Sequence, residues 1–98
     1  MDEQAERHRR YLDQHRIAFI DTDLDVAIKS VVRAATELSL GHHKRADELL
    51  FAAVEAHRRI STFLVEVDDT EQQQRLRDKH QTLADAIREA GGTVPFNE

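Results

Sequence analysis

Hydrophobic positions recur at helical intervals along almost the whole chain, interrupted by short stretches rich in Asp, Thr or Gly. From residue 2 to about residue 19, Ala5, His8, Leu12, His15 and Phe19 follow one another at spacings of three and four. Such spacing defines one stripe of a helix and predicts that this stripe faces inward. At DTDLD, residues 21–25, an Asp or Thr offers an N-cap for a second helix. Its apolar face is broad: Val26, Ala27, Ile28, Val31, Val32, Ala34, Ala35 and Leu38, up to Leu40. Gly41 then supplies the left-handed residue that commonly ends a helix.

The third segment, about 44–66, is the most apolar, with a stripe of Leu49, Ala53, Ile60 and Val67 and further apolar residues, Phe51 and Val65, roughly opposite it. VEVDD, residues 65–69, alternates like a strand, but a lone strand has nothing to pair with, so DDT reads as the cap of a fourth helix. That helix, about 70–90, carries Leu76, His80, Leu83, Ile87 and Ala90 on one face and stops at Gly91 and Gly92. The pattern therefore predicts an all-α, antiparallel bundle of about four helices with short loops, because links of a few residues force neighbours to run in opposite directions. Residues 1–90 form the single expected domain, with the first helix a candidate appendage to a three-helix unit. Residues 91–98 form a short tail in which Val94 and Phe96 are the apolar members.

Composition adds exclusions. A length of 98 residues allows one core, and 40% hydrophobic with 34% charged residues is too apolar for a disordered chain. Cysteine is absent, which removes disulfides, thiolate nucleophiles and Cys-based zinc sites and is compatible with a reducing cytoplasm. No apolar run approaches the roughly 20 residues needed to span a bilayer, and the charged first twenty residues do not resemble a signal peptide. The expectation is a cytoplasmic protein with no membrane contact.

The net charge of -5 argues against default binding to nucleic acid, yet the charges are grouped. With four antiparallel helices, Arg7, His8, Arg9 and Arg10 share an end with His42, His43, Lys44 and Arg45. Asp21, Asp23, Asp25, Glu66, Asp68, Asp69 and Glu71 share the other. Carboxylates at helix N-termini are ordinary caps. Cations at the start of the third helix are not, because they meet the positive end of its dipole. His42, His43, Lys44 and Arg45, with Arg7, Arg9 and Arg10, are therefore the candidate site for a phosphate, a nucleic-acid backbone or a partner's carboxylates. The competing reading is that Asp47, Glu48, Asp2, Glu3 and Glu6 neutralise them on a solvated surface.

Six histidines raise the question of metal, but His8 and His15 are about 10.5 Å apart along a helix axis, and the Glu-x-x-His and His-Glu-x-x-His spacings are missing. No glycine-rich phosphate loop or nucleophile elbow is present. The sequence predicts no cofactor, no metal and no catalysis.

Residues 27–60 carry one further pattern: Ala27-Ile28, Ala34, Gly41 in the turn, Ala46, then Ala53-Val54. This resembles the helical hairpin of tetratricopeptide repeats and, more closely, the first hairpin of microtubule-interacting and trafficking domains, three-helix bundles related to that repeat. Ser30 and Arg33 stand where the repeat carries a large aromatic. The resemblance implies a groove for amphipathic helices or short peptides of another protein.

The functional expectation is a non-enzymatic interaction or regulatory module that binds another protein, or itself as a homodimer, through Phe51, Val65 and Arg58 and through the charged poles. The alternatives are a nucleic-acid-associated regulator using the basic patches and a small acidic, antitoxin-like inhibitor using DTDLD and EVDDTE.

Overall fold

A computed structural model describes residues 2–92. Among these, three helices account for the regular structure: α1 over Glu3–Ser39, α2 over His43–Leu64 and α3 over Thr70–Glu89. The all-α class holds, but the first two expected helices are one. Nothing between residues 3 and 39 is Gly or Pro, so no residue breaks the hydrogen-bond ladder. The carboxylates of DTDLD, read as a cap, lie inside the helix and are answered from its neighbours. Asp21 meets Lys79 at 2.6 Å and Arg75 at 3.4 Å, Asp25 meets Lys79 at 2.6 Å, and Asp23 accepts two bonds from Arg59, each 3.1 Å.

The ends of the helices obey local chemistry. Asp2 caps α1 through Gln4 N–H at 3.0 Å, and Asp69 caps α3 through Gln72 N–H at 3.0 Å, as DDT predicts. Gly41, at φ 83°, closes α1 with the paired bonds of a Schellman motif, Gly41 N–H to Leu38 C=O and His42 N–H to Glu37 C=O. Gly91 and Gly92 repeat the motif at the end of α3. Beyond Gly92, the expected tail with Val94 and Phe96 lies outside the described residues.

Core packing follows a single stripe along α1: Ile20, Leu24, Ala27, Val31 and Ala34 are buried. Opposite them are Ala46, Leu49, Ala53, Ala56 and Ile60 of α2, and Leu76, Leu83 and Ile87 of α3 close the core. The hairpin alanines, Ala27, Ala34, Ala46 and Ala53, are all buried at the α1–α2 contact, where small side chains let two backbones approach. By contrast, Ala5, His8, Leu12, His15 and Phe19, expected inside, all point outward. The fusion of the first two helices explains this reversal. The apolar stripe of residues 27–34 fixes which side of α1 meets the core, and continuing that register backwards reaches Ile20, Ile17 and Asp13 rather than Phe19.

Asp13 is buried and has a specific task. Its carboxylate accepts the backbone N–H groups of Asp68 at 2.7 Å and Asp69 at 3.1 Å, and so ties the α2–α3 connection to α1. Arg16 stands 3.6 Å from the same carboxylate and donates to the Glu66 carbonyl at 3.1 Å. Charge-assisted bonds of this kind contribute about 1.5 to 3 kcal/mol each. Asp13→Ala should therefore destabilise the protein by about 3 kcal/mol in urea unfolding, with Asp13→Asn intermediate because one acceptor oxygen survives. An unchanged midpoint for Asp13→Ala would show that this tie does not hold the loop.

Candidate interaction surface

Because α1 is continuous, the two basic clusters are not neighbours. Arg7, Arg9 and Arg10 sit near its first turns, whereas His42, His43, Lys44 and Arg45 follow its last; about 35 intervening residues at 1.5 Å place them about 50 Å apart. The long dimension of the protein is 60 Å. The expected basic pole is thus two separate groups, and most of their members have local partners. Arg7 pairs with Glu3 at 3.5 Å, Arg9 with Glu6 at 3.6 Å and Arg45 with Glu48 at 3.6 Å.

His42 turns backwards: its Nδ1 lies 2.7 Å from Glu37 Oε1, while its side chain makes no cap bond to α2. In the Schellman motif these two positions usually make a hydrophobic contact. Here a hydrogen bond occupies that place, which accounts for a histidine at the turn without any ligand. His43, Lys44 and Arg10 are exposed.

The acidic pole is likewise divided. Asp21, Asp23 and Asp25 lie halfway along α1 and are paired with α2 and α3. Asp68 and Asp69 lie beside the N-terminal part of α1, where with Glu6, Arg9, Arg10, Asp13, Gln14 and Ile17 they line a cleft of about 300 Å³. Cations and carboxylates share this cleft, so it presents no single sign of charge.

Phe51, Arg58 and Val65 fall on one outward line of α2, at intervals of seven. Phe51 is 65% exposed and Val65 68%, so the first helix does not cover them. Arg58 pairs with Glu55 at 3.3 Å, and Phe51 has no exposed large apolar neighbour on its own helix.

The larger surface feature was assigned to the core by the sequence. α1 projects beyond the α2–α3 connection, so residues 3–12 have no helix over them except at the half-buried Glu6. From this overhang an exposed stripe continues down the outer side of α1. Leu12 (43% exposed), Phe19 (54%) and Val26 (56%) repeat at intervals of seven, and His8, His15, Thr22 and Lys29 fill the alternate positions. Aromatic contacts reinforce it: Tyr11 meets His15 edge-on at 4.4 Å, and Phe19 meets Phe63 of α2 edge-on at 5.8 Å. Sequence periodicity did find the stripe. Its polar members were the signal that it faces water.

Two histidines form a feature that the sequence reading half missed. His80 was assigned to an inner face and is half-buried; His57 was not singled out and is 4% exposed. Their rings stack at 3.9 Å with 16° between planes. His80 Nε2 donates to the His57 carbonyl at 3.0 Å and lies 3.3 Å from Ser61 Oγ, which donates to the same carbonyl at 3.0 Å. His57 Nδ1 is buried without a hydrogen-bond partner. Burial first, then His80 and Arg88, lower the His57 pKa to about 4. His80 is lowered as well, by burial, against the opposing effect of its bond to the His57 carbonyl. Both rings are neutral at pH 7. Among the described residues no three His, Cys, Asp or Glu side chains come together as a metal-binding group, and no helix is long and apolar enough to cross a membrane.

Comparison of the chain with protein-family models, with curated proteins and with solved structures gives no match.

The stacked pair makes stability depend on pH. An unfolded chain takes up the His57 proton near pH 6.5, whereas the fold resists it down to about pH 4, so stability is complete above pH 6.5 and falls as pH drops through that interval. Unfolding free energy should be on the order of 2 kcal/mol lower at pH 4.5 than at pH 7, and His57→Phe, which keeps the stacking and removes the titration, should flatten that slope. Equal slopes for the two proteins in urea titrations would exclude His57 as the source.

Proposed function

We propose that this chain is a non-enzymatic, cytoplasmic protein-interaction module and that the outer face of α1 is its contact surface. The observation that carries this reading is the run of Leu12, Phe19 and Val26, exposed at one heptad position along a helix whose opposite face is buried in the core from Asp13 to Ala34. Exposed apolar residues scattered singly need no explanation, but an aligned series on a rigid helix with a contiguous aromatic contact to Phe63 is the pattern of a docking face. Covering side chains of this size contributes about 1.5 to 3 kcal/mol each when burial is complete. The α2 line of Phe51, Arg58 and Val65 is a secondary contact in this reading.

Nothing in the arrangement favours the two alternatives to a comparable degree. The basic groups that a nucleic-acid backbone would need lie at opposite ends of α1 beside carboxylates, and the DTDLD carboxylates that an inhibitor would present are held by Lys79, Arg75 and Arg59.

A photo-crosslinking amino acid placed at Phe19, and separately at Phe51 and at exposed Gln81 of α3, distinguishes the surfaces in cells of the source organism. The expected result is a discrete adduct with a second protein from position 19, lost in a Val26→Asp background and absent from position 81. Adducts from position 51 alone would transfer the function to α2; equal, diffuse adducts from all three would remove the interaction reading.

A further inference from the structure

The outer stripe of α1 has a spacing that selects the shape of its occupant and a charge that selects its chemistry. From Ala5 to Arg33 its exposed positions alternate at three and four residues without a miss. An average of 3.5 is the seam spacing of a coiled coil, in which each side chain enters a hole formed by four residues of a facing helix. A straight α-helix drifts only about 20° per heptad from this repeat, so the seam stays usable over four heptads with slight supercoiling. The surface is therefore shaped for a second helix lying along it.

One row of the seam is apolar, Leu12, Phe19 and Val26. The other row is His8, His15, Thr22 and Lys29; Arg33 ends the first row, seven residues after Val26, and neither row contains a carboxylate. Although the protein carries a net charge of -5, the acidic groups of α1 are used elsewhere. Asp13 holds the α2–α3 connection, Asp21, Asp23 and Asp25 engage Lys79 and Arg59, and Glu37 engages His42. Lys29 and Arg33 form no ion pair among the described residues. This face is accordingly apolar and cationic.

Charge also argues against a parallel second copy as the occupant. Two parallel α1 helices in register would set Lys29 against Lys29 and Arg33 against Arg33. Like charges facing across a helix pair destabilise it.

Resting on the interaction reading above, we infer that the outer face of α1 receives an acidic amphipathic helix of another protein, with apolar residues every seventh position meeting Leu12, Phe19 and Val26 and Glu or Asp meeting Lys29 and Arg33, which end the two rows of the seam. Apart from the Phe19–Phe63 contact, the face lies outside the α1–α2 and α1–α3 contacts, which the core fills.

The test uses the full chain and a labelled synthetic helix about four heptads long, with Leu at every seventh position and Glu at the intervening seam positions, beside a twin in which Lys replaces each Glu. Fluorescence anisotropy should show the acidic peptide binding at least about tenfold more tightly than its twin at about 50 mM salt, with the gap shrinking at about 500 mM. The double change Lys29→Glu and Arg33→Glu, both exposed, should reverse the preference. Phe19→Asp, with circular dichroism confirming the fold, should abolish binding of both peptides. Equal affinity for the two peptides, dependent on Phe19, would overturn the acidic partner and leave the interaction reading standing. Binding of neither would also overturn the inference, while the crosslinking at Phe19 decides separately whether α1 has a protein partner. A homodimer in sedimentation equilibrium that Phe19→Asp disperses would overturn it in favour of self-association.

Discussion

An unbroken α1 is the constraint on which the rest of the molecule depends. Its 37 residues extend about 55 Å, while the 22 residues of α2 and the 20 of α3 extend about 33 and 30 Å. Two shorter helices folded back on a longer one cover only part of it. The uncovered remainder is the N-terminal overhang together with the outer face. The same geometry separates the basic clusters and sets the DTDLD carboxylates against the flanks of α2 and α3. Had the chain turned near residue 22, as the sequence predicts, Leu12 and Phe19 would have been core residues and the cations would have converged.

The short helices are held to this spine by few but directional contacts. Small side chains at Ala27, Ala34, Ala46 and Ala53 permit the close approach of α1 and α2, Gly41 makes their turn, and Asp13 fixes the far end by binding the backbone that enters α3. The ion pairs of Asp21, Asp23 and Asp25 with Lys79, Arg75 and Arg59 are partly exposed and individually worth little. Their effect is on register: Asp21 and Asp25 share Lys79, and Asp23 takes the opposite flank with Arg59, so sliding either short helix by a turn would separate carboxylate from cation. Lys79 is held protonated above its usual range by Asp21 and then Asp25, and Asp21 is correspondingly lowered, chiefly by Lys79.

Much of this was legible in the amino-acid order, and the failures have physical causes. The all-helical class, the turn at Gly41, the Asp69 cap and the inner Leu76, Leu83 and Ile87 all follow from local rules. The unbroken helix through DTDLD does not, because Asp and Thr are cap formers by propensity and the cations that answer these carboxylates, Arg59 and Lys79, are more than thirty residues away. A stripe of Asp13, Ile17, Ile20, Leu24, Ala27, Val31 and Ala34 runs through that motif at unbroken spacings of four and three, and its continuity was the available sign of one helix. Asp13 interrupts its apolar character, and a buried carboxylate can be recognised only with the backbone N–H groups it serves. The two competing stripes of the first segment were separable by composition: one carries His8 and His15 and leads to Lys29 and Arg33, the other leads into the alanine hairpin. His57 stands at helical spacing between Ala53 and Ile60 of the inner stripe, and that position was the available sign of its burial. The hairpin resemblance rests on Ala27, Ala34, Ala46 and Ala53, which are buried where α1 and α2 approach each other.

The continuity of α1 is the central claim, and one distance tests it. The absence of cysteine allows spin labels to be placed at His8→Cys and His43→Cys with no background. Double electron–electron resonance should give a single distribution centred near 50 Å, the length of an unbroken helix between those positions. A distribution centred below about 25 Å would mean that α1 folds back at DTDLD, which would return Leu12 and Phe19 to the core and remove the docking face.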